Sequence, residues 1–109
     1  ANIFVVDDES TIRDSLQMVL SEEGYNVEVA SNGKEAMIRA GENDFDIIIS
    51  NLKMPEMDGM GLLQACRSVC PQTSLIIITA HGSLDTAIQA LRRGAYDYIL
   101  KPFDFDDVL

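Results

Sequence analysis

Short apolar runs alternate along this chain with longer segments in which apolar residues recur at helical spacing. Runs such as "IFVV" (3–6) and "SLIIIT" (74–79) lack polar alternation, which indicates strands that are buried on both faces. Five strands separated by helices favour a parallel sheet with helices on both sides and right-handed crossovers. The chain is therefore predicted to fold as a three-layer α/β domain.

The predicted elements follow one another without a repeat, a linker or a low-complexity tract. The five strands are expected at residues 3–6, 25–30, 45–50, 74–79 and 96–100. Ser10, Asn32 and Ser83 are the expected caps of the first, second and fourth helices, and the third helix is expected at residues 60–70. A fifth helix is predicted to open at Asp104 and to be truncated after about one turn, which suggests a piece of a longer chain.

Composition narrows the classes of function. The chain has 109 residues, which is enough for one domain with a single core, and its formal net charge is −10. Such a surface repels nucleic acid and anionic membranes, and no apolar run is long enough to span a bilayer. Cys66 and Cys70 lack the further ligands of a structural zinc site, so core packing and a reducing cytoplasm are expected.

Polar residues gather where the predicted strands end. Asp7 and Asp8 follow the first strand, Asn51 the third, Thr79 ends the fourth and Lys101 follows the fifth. Because the carboxyl ends of parallel strands share one edge of the sheet, these side chains are expected to meet in one crevice. Two adjacent carboxylates favour Mg²⁺, and a lysine with a hydroxyl suits a phosphoryl group. The pattern indicates Mg²⁺-dependent phosphoryl handling.

Four segments together resemble the receiver domain of bacterial two-component response regulators: "VVDDE" (5–9), "IISNLKMPEMDG" (48–59), "IITAHG" (77–82) and "GAYDYILKPF" (94–103). The resemblance covers essentially the whole chain and is nearest to receivers of nitrogen-regulation (NtrC-type) enhancer-binding activators. It implies a single CheY-like, flavodoxin-like receiver domain over residues 1–109, with strand order 2-1-3-4-5. It also implies a phosphorelay module rather than an enzyme.

The resemblance assigns roles to individual residues. Asp7 and Asp8 match the acidic metal-binding pair, and Lys53 matches the residue whose backbone carbonyl completes the Mg²⁺ site. Thr79 matches the hydroxyl that moves toward the phosphoryl group, and Tyr98 matches the aromatic switch residue. Lys101 matches the lysine that pairs with the phosphoryl group.

One position departs from the family pattern, because Asn51 stands where the phosphate acceptor is an aspartate. A neutral amide oxygen would become cationic on attacking phosphorus, so phosphorylation is expected to fail. Asparagine also moves the charge away from the phosphorylated state, which predicts a resting conformation. Mg²⁺ is expected to bind through Asp7, Asp8, Lys53 and Asn51, but more weakly than beside an aspartate.

Two origins of the amide stay open: a phosphorylation-dead variant of a working receiver, or a natural pseudo-receiver that acts only by binding proteins. "DDEST" (7–11) nearly fits the loop of aspartate-nucleophile phosphatases, which would use Asp7. Against that alternative, the second acid is Glu9 where the loop has an aspartate, and the chain is short. A flavin-binding domain would need a Gly/Ser/Thr-rich loop where this chain has acids.

The resemblance further implies partners. They are a sensor histidine kinase as phosphodonor, an output domain that regulates transcription, in the same full-length chain or separate, and a second copy of the receiver. No direct contact with nucleic acid or membrane is expected of this domain.

Overall fold

Strands and helices alternate along the chain. The computed structural model describes residues 2–42, 44–52, 59–69, 72–79 and 84–100. In chain order the elements are β1 (Asn2–Val6), α1 (Ser10–Glu22), β2 (Asn26–Ala30), α2 (Gly33–Glu42), β3 (Ile47–Asn51), α3 (Gly59–Val69), β4 (Ser74–Thr79), α4 (Leu84–Arg92) and β5 (Asp97–Leu100).

All strand pairs in the sheet are parallel, and the strand order is β2-β1-β3-β4-β5. The predicted flavodoxin-like topology is therefore confirmed. The chain leaves β1 to one side for β2 and later returns to its other side as β3. This change of direction opens a crevice at the carboxyl ends of β1 and β3, where open α/β sheets bind their ligands.

The two faces of the sheet carry separate apolar clusters, because successive side chains on a strand point to opposite faces. Phe4 and Val6 pack with residues of α2, α3 and α4, whereas Ile3 and Val5 pack with Leu16 and Leu20 of α1. β1 is buried on both faces after Asn2, whereas edge strand β2 alternates between exposed and partly buried residues. This confirms the predicted three layers.

Several boundaries differ from those that the sequence predicts. β3 begins at Ile47 rather than at residue 45, because the ladder to β1 starts with the pair Ile3–Ile47. Phe45 is buried before the strand and stacks on Phe4 with ring centroids 4.5 Å apart. Its apolar character therefore reflects core packing rather than strand pairing.

Helix starts show one correct and one wrong prediction. Asn32 accepts a hydrogen bond from the backbone N–H of Glu35 at 2.8 Å, as expected of a capping residue. Ser10 is instead the first helical residue of α1, and Glu9 is the N-cap residue, without a capping bond from its side chain. The predicted cap Ser83 and the predicted fifth helix from Asp104 lie outside the described residues.

The start of α3 packs tightly against the end of β3. The backbone N–H of Gly59 donates to the carbonyl of Leu52 at 2.7 Å. A Cβ atom on Gly59 would lie 2.5 Å from the carbonyl oxygen of Asn51 and 3.0 Å from Cα of Leu52. Position 59 therefore requires glycine, because the neighbouring atoms belong to backbone that cannot give way.

The substitution Gly59→Ala is expected to destabilise the domain by about 1–3 kcal/mol, the usual cost of overpacking. Gly41→Ala is the matched control, since Gly41 is exposed in α2; there alanine is expected to be neutral or stabilising by up to about 1 kcal/mol. Urea denaturation measures both free energies of unfolding. Equal effects of the two substitutions would contradict the close packing.

Candidate functional site

The acidic pair sits on a turn directly after β1. Asp7 is buried and Asp8 is exposed. The Asp7 carboxylate accepts a hydrogen bond from the backbone N–H of Glu9 at 2.9 Å, and the Asp7 backbone N–H donates to Ala30 of β2 at 3.1 Å. The guanidinium of Arg13 donates to the Asp7 carbonyl at 2.7 Å. The two acids are thus held by the sheet on one side and by α1 on the other.

Asn51 comes to the same place from the end of β3. Val5 and Ile49, two residues before Asp7 and Asn51, both lie in the cluster under α1, so strand alternation directs Asp7 and Asn51 to one face. The Asn51 side-chain nitrogen Nδ2 donates to Oδ1 of Asp8 at 3.1 Å and to Oδ1 of Asp7 at 3.4 Å. The amide therefore bridges both carboxylates.

The backbone of Asn51 is also tightly enclosed. The buried hydroxyl of Ser50 donates to the Asn51 carbonyl at 3.0 Å. The same carbonyl faces Gly59, the glycine at the start of α3. Asn51 is 7% exposed and Asp7 is buried, so the site opens to water on the side of Asp8.

Thr79 and Tyr98 lie on the strands beyond β3. Asn51 pairs with Ile78 in the β3–β4 ladder, so Thr79 ends β4 one residue further along and is 1% exposed. Tyr98 is partly buried and pairs with Ile77, which places it on the same face as Thr79. The roles predicted for these two side chains stay predictions. Lys53 and Lys101, the other predicted site residues, lie outside the described residues.

Two contacts at the acidic pair were missed by reasoning from the sequence. Arg13 holds the Asp7 carbonyl, and the Glu9 backbone caps the Asp7 carboxylate. The Arg13 contact could have been predicted from the sequence, because Arg13 stands four residues after Glu9, on the first turns of the helix that follows the acids. The backbone contact of Glu9 carries no signal in residue type.

The donor set suits a hard cation. Asp7 and Asp8 offer carboxylate oxygens, and Asn51 could offer its amide oxygen if the amide were reversed; Mg²⁺ binds such oxygens. In the described part of the chain no group of three or more His, Cys, Asp or Glu residues could hold a metal ion. The resemblance to receiver domains predicts a third acid of the family pattern at position 51, where this chain has an amide. The residues fit Mg²⁺, with one negative charge fewer.

Away from the acidic pair, the described residues bear on two further features of the sequence, the cysteines and the apolar content of the helices. Cys66 is buried in the core under α3, as predicted, and Cys70 lies outside the described residues. None of the helices that the structure describes has the length and apolar character needed to cross a membrane.

Comparison with known sequences points to one family. The response regulator receiver domain family matches residues 3–109. The transcriptional regulatory protein ZraR of Escherichia coli (strain K12) is 39% identical over 107 residues, which are 98% of this chain and 24% of that protein. The DNA-binding transcriptional regulator NtrC of Proteus hauseri is 37% identical over 108 residues, 99% of this chain and 23% of that protein. The chain spans about a quarter of the length of these curated relatives.

A solved structure agrees in fold. A response regulator from Burkholderia pseudomallei, solved with a phosphorylated aspartic acid, a calcium ion and citrate, superposes with a TM-score of 0.92 at 30% identity. The match covers 98% of this chain and 63% of that one. With this topology and these relatives, the chain belongs to the response regulator receiver domain family and is similar to receivers of the NtrC type.

Proposed function

We propose that this chain is a phosphorelay receiver whose phosphate-acceptor position is filled by Asn51, so that it cannot be phosphorylated and stays in the resting conformation. The observation that carries the proposal is the contact of the Asn51 amide with both Asp7 and Asp8. A receiver needs its acceptor beside the metal-binding acids. Here an amide stands beside them.

The chemistry of the amide explains the loss of phosphorylation. A carboxylate oxygen attacks phosphorus as an anion and forms a neutral acyl linkage. An amide oxygen would carry positive charge after the same attack, and Nδ2 has its lone pair delocalised into the carbonyl. Positioning and charge neutralisation alone, which carry most of phosphoryl-transfer catalysis, do not compensate for a poor nucleophile.

The metal site of the proposed receiver consists of Asp7, Asp8, the Asn51 side-chain oxygen and the backbone carbonyl of Lys53. Receiver domains generally bind Mg²⁺ at the phosphorylation site, where the ion neutralises the charge of the incoming phosphoryl group. At about 4 Å and an effective dielectric near 20, one unit-charge pair is worth roughly 4 kcal/mol before desolvation. Losing one carboxylate charge therefore weakens Mg²⁺ binding. The loss is smaller than this figure, because a neutral Asn51 does not repel the carboxylates of Asp7 and Asp8.

The conformational switch is assigned to three further residues. Thr79 donates its hydroxyl to a phosphoryl oxygen, Lys101 pairs with another, and Tyr98 follows the movement of Thr79. Burial of Thr79 at the end of β4 and the position of Tyr98 on the same face support this assignment. Without a phosphoryl group on residue 51, these side chains have no new partner, and the resting state is favoured.

The proposed partners follow from the family. Receiver domains are signalling modules rather than enzymes in their own right, and the relatives named above are transcriptional regulators that are about four times as long. We therefore assign to this chain a cytoplasmic location, a sensor histidine kinase as phosphodonor, a transcription-regulating output domain, and self-association into a homodimer. The present sequence is proposed to be a single domain cut from such a longer chain.

The origin of Asn51 has two proposed explanations. Asp7, Asp8, Thr79 and Lys101 are all kept, although a domain that had long abandoned phosphoryl transfer would have little reason to keep them. This favours a phosphorylation-dead variant of a working receiver over a natural pseudo-receiver that acts only by binding proteins.

Phosphorylation is tested by incubating the chain and its Asn51→Asp variant with a small-molecule phosphodonor and Mg²⁺. Intact-mass spectrometry is expected to show no change in the present chain and the addition of one phosphoryl group in Asn51→Asp. Asn26→Asp, which adds an acid at the start of β2, at the opposite edge of the sheet, is the control and should stay unmodified. Labelling of the present chain at Ser50 or at an acid would contradict the proposal.

The phosphatase alternative makes a different prediction for Asp7. An aspartate nucleophile at that position would turn over a small phosphate ester steadily. We expect no turnover by the present chain, because the Asp7 carboxylate already accepts bonds from Glu9 and Asn51 and is buried. A colorimetric phosphate assay measures it, and steady release of phosphate that is lost in Asp7→Asn would favour the phosphatase.

The assignment of Asp8 as a metal ligand is tested in the phosphorylatable Asn51→Asp background. Adding Asp8→Asn removes a charged ligand and is expected to slow Mg²⁺-dependent phosphorylation by about a hundredfold or more, as for loss of a group that positions and neutralises charge. Asp14→Asn is the matched control, since Asp14 is exposed on α1, and should leave the rate unchanged. Equal phosphorylation rates in both variants would contradict the assignment of Asp8 as a metal ligand.

A further inference from the structure

The Asn51 amide does more at this site than fail as a nucleophile. In the described structure its Nδ2 group donates to one oxygen of each acid. These are oxygens of the two side chains that a cation would bind. We infer that the amide takes the place of the metal ion: it satisfies the acidic pair internally, and Mg²⁺ must displace it to bind. This inference deepens the proposed function and rests on it.

The direction of the amide follows from electrostatics. An asparagine side chain has one end that accepts hydrogen bonds and one that donates them. With Oδ1 turned toward the acids, three oxygens would face one another with no positive charge between them. With Nδ2 turned toward the acids, two N–H groups meet two carboxylate oxygens. In the absence of a cation the second orientation is therefore favoured.

Other groups of the protein also donate hydrogen bonds to Asp7. The Asp7 carboxylate receives the N–H of Glu9, and the Arg13 guanidinium lies on the Asp7 carbonyl. Among the described residues, no buried side-chain nitrogen or oxygen lacks a hydrogen-bond partner. The acids thus have partners without a metal ion.

Metal binding and the amide bridge exclude each other. A cation at Asp7 and Asp8 would meet the positive N–H groups of Nδ2, so the amide must reverse and present Oδ1. Reversal breaks two hydrogen bonds to carboxylates, and losing two such bonds weakens an equilibrium about tenfold or more. This weakening of Mg²⁺ binding is separate from the effect of the negative charge that an aspartate at position 51 would add.

Three side chains at position 51 separate the two causes. Asparagine and alanine leave the same charge at the site, and alanine also lacks the Oδ1 ligand, so without competition the Mg²⁺ affinity of Asn51→Ala is equal to or lower than that of the parent chain. Competition by the amide predicts tighter binding by Asn51→Ala, because nothing has to be displaced. Asn51→Asp should bind most tightly of the three, because it adds a carboxylate.

Thermal unfolding with chelator and with Mg²⁺, at constant ionic strength, provides the measurement. In chelator we expect the parent chain to melt above both variants, because Asn51→Ala loses two hydrogen bonds and Asn51→Asp places three carboxylates together. Mg²⁺ is expected to raise the midpoint of Asn51→Asp most, that of Asn51→Ala less and that of the parent least. Asn26→Asp controls for added charge, since Asn26 is exposed at the start of β2, at the opposite edge of the sheet, and should respond to Mg²⁺ as the parent does.

An Mg²⁺ response of Asn51→Ala equal to or smaller than that of the parent would overturn the inference. A second measurement on the parent alone covers the case in which Asn51→Ala does not fold. Titration with Mg²⁺ should shift the NMR signals of the Asn51 side-chain NH₂ group as its bonds to the acids break. Unchanged NH₂ signals at saturating Mg²⁺ would also overturn it. Neither result depends on phosphorylation of Asn51→Asp, so failure here is distinguishable from failure of the proposed function.

Discussion

Val6 pairs with Ser50 in the parallel ladder between β1 and β3. This register decides which side chains leave the two strands together at the carboxyl edge. A shift of one residue would send Asn51 to the opposite face of the sheet, because successive side chains alternate. Apolar residues on both faces hold this register. A shift of β3 by one residue would move its apolar side chains between the cluster under α1 and the cluster under α2, α3 and α4. The core thereby fixes the site.

The chemistry at the site follows from the placement of two acids beside one amide, with Asp7 and Asn51 buried and Asp8 exposed. Burial makes unpaired charge costly, so Asp7 needs donors, and the described structure supplies them from Glu9 and Asn51. The exposed Asp8 gains one from the same amide. A receiver with aspartate at this position would carry three acids, and a cation would relieve their repulsion. The amide removes the repulsion and, under the proposed function, the nucleophile with it.

Particular residues show how far the sequence could be interpreted. The apolar runs predicted the parallel sheet, because strands buried on both faces and separated by helices have few alternatives, whereas the strand order was implied by the resemblance to receiver domains. Phe45 was misplaced in β3, since an apolar residue before a strand looks the same whether it pairs in the ladder or stacks on a ring. Ser10 was misplaced as a cap, because the side-chain type allows capping but the backbone begins the helix one residue earlier than Ser10 would require.

At the site, the order of residues along the chain was enough to predict that Asp7, Asp8 and Asn51 meet, since all three follow strands of one parallel sheet. The sequence by itself determined the donors that are present, the neutral amide at position 51 and the topology. Only the tertiary structure decided that the Asn51 amide bridges both acids, that Arg13 holds the Asp7 carbonyl and that Gly59 closes on Asn51. Those contacts depend on distances of about 3 Å between separate elements, and local pattern carries no information at that scale.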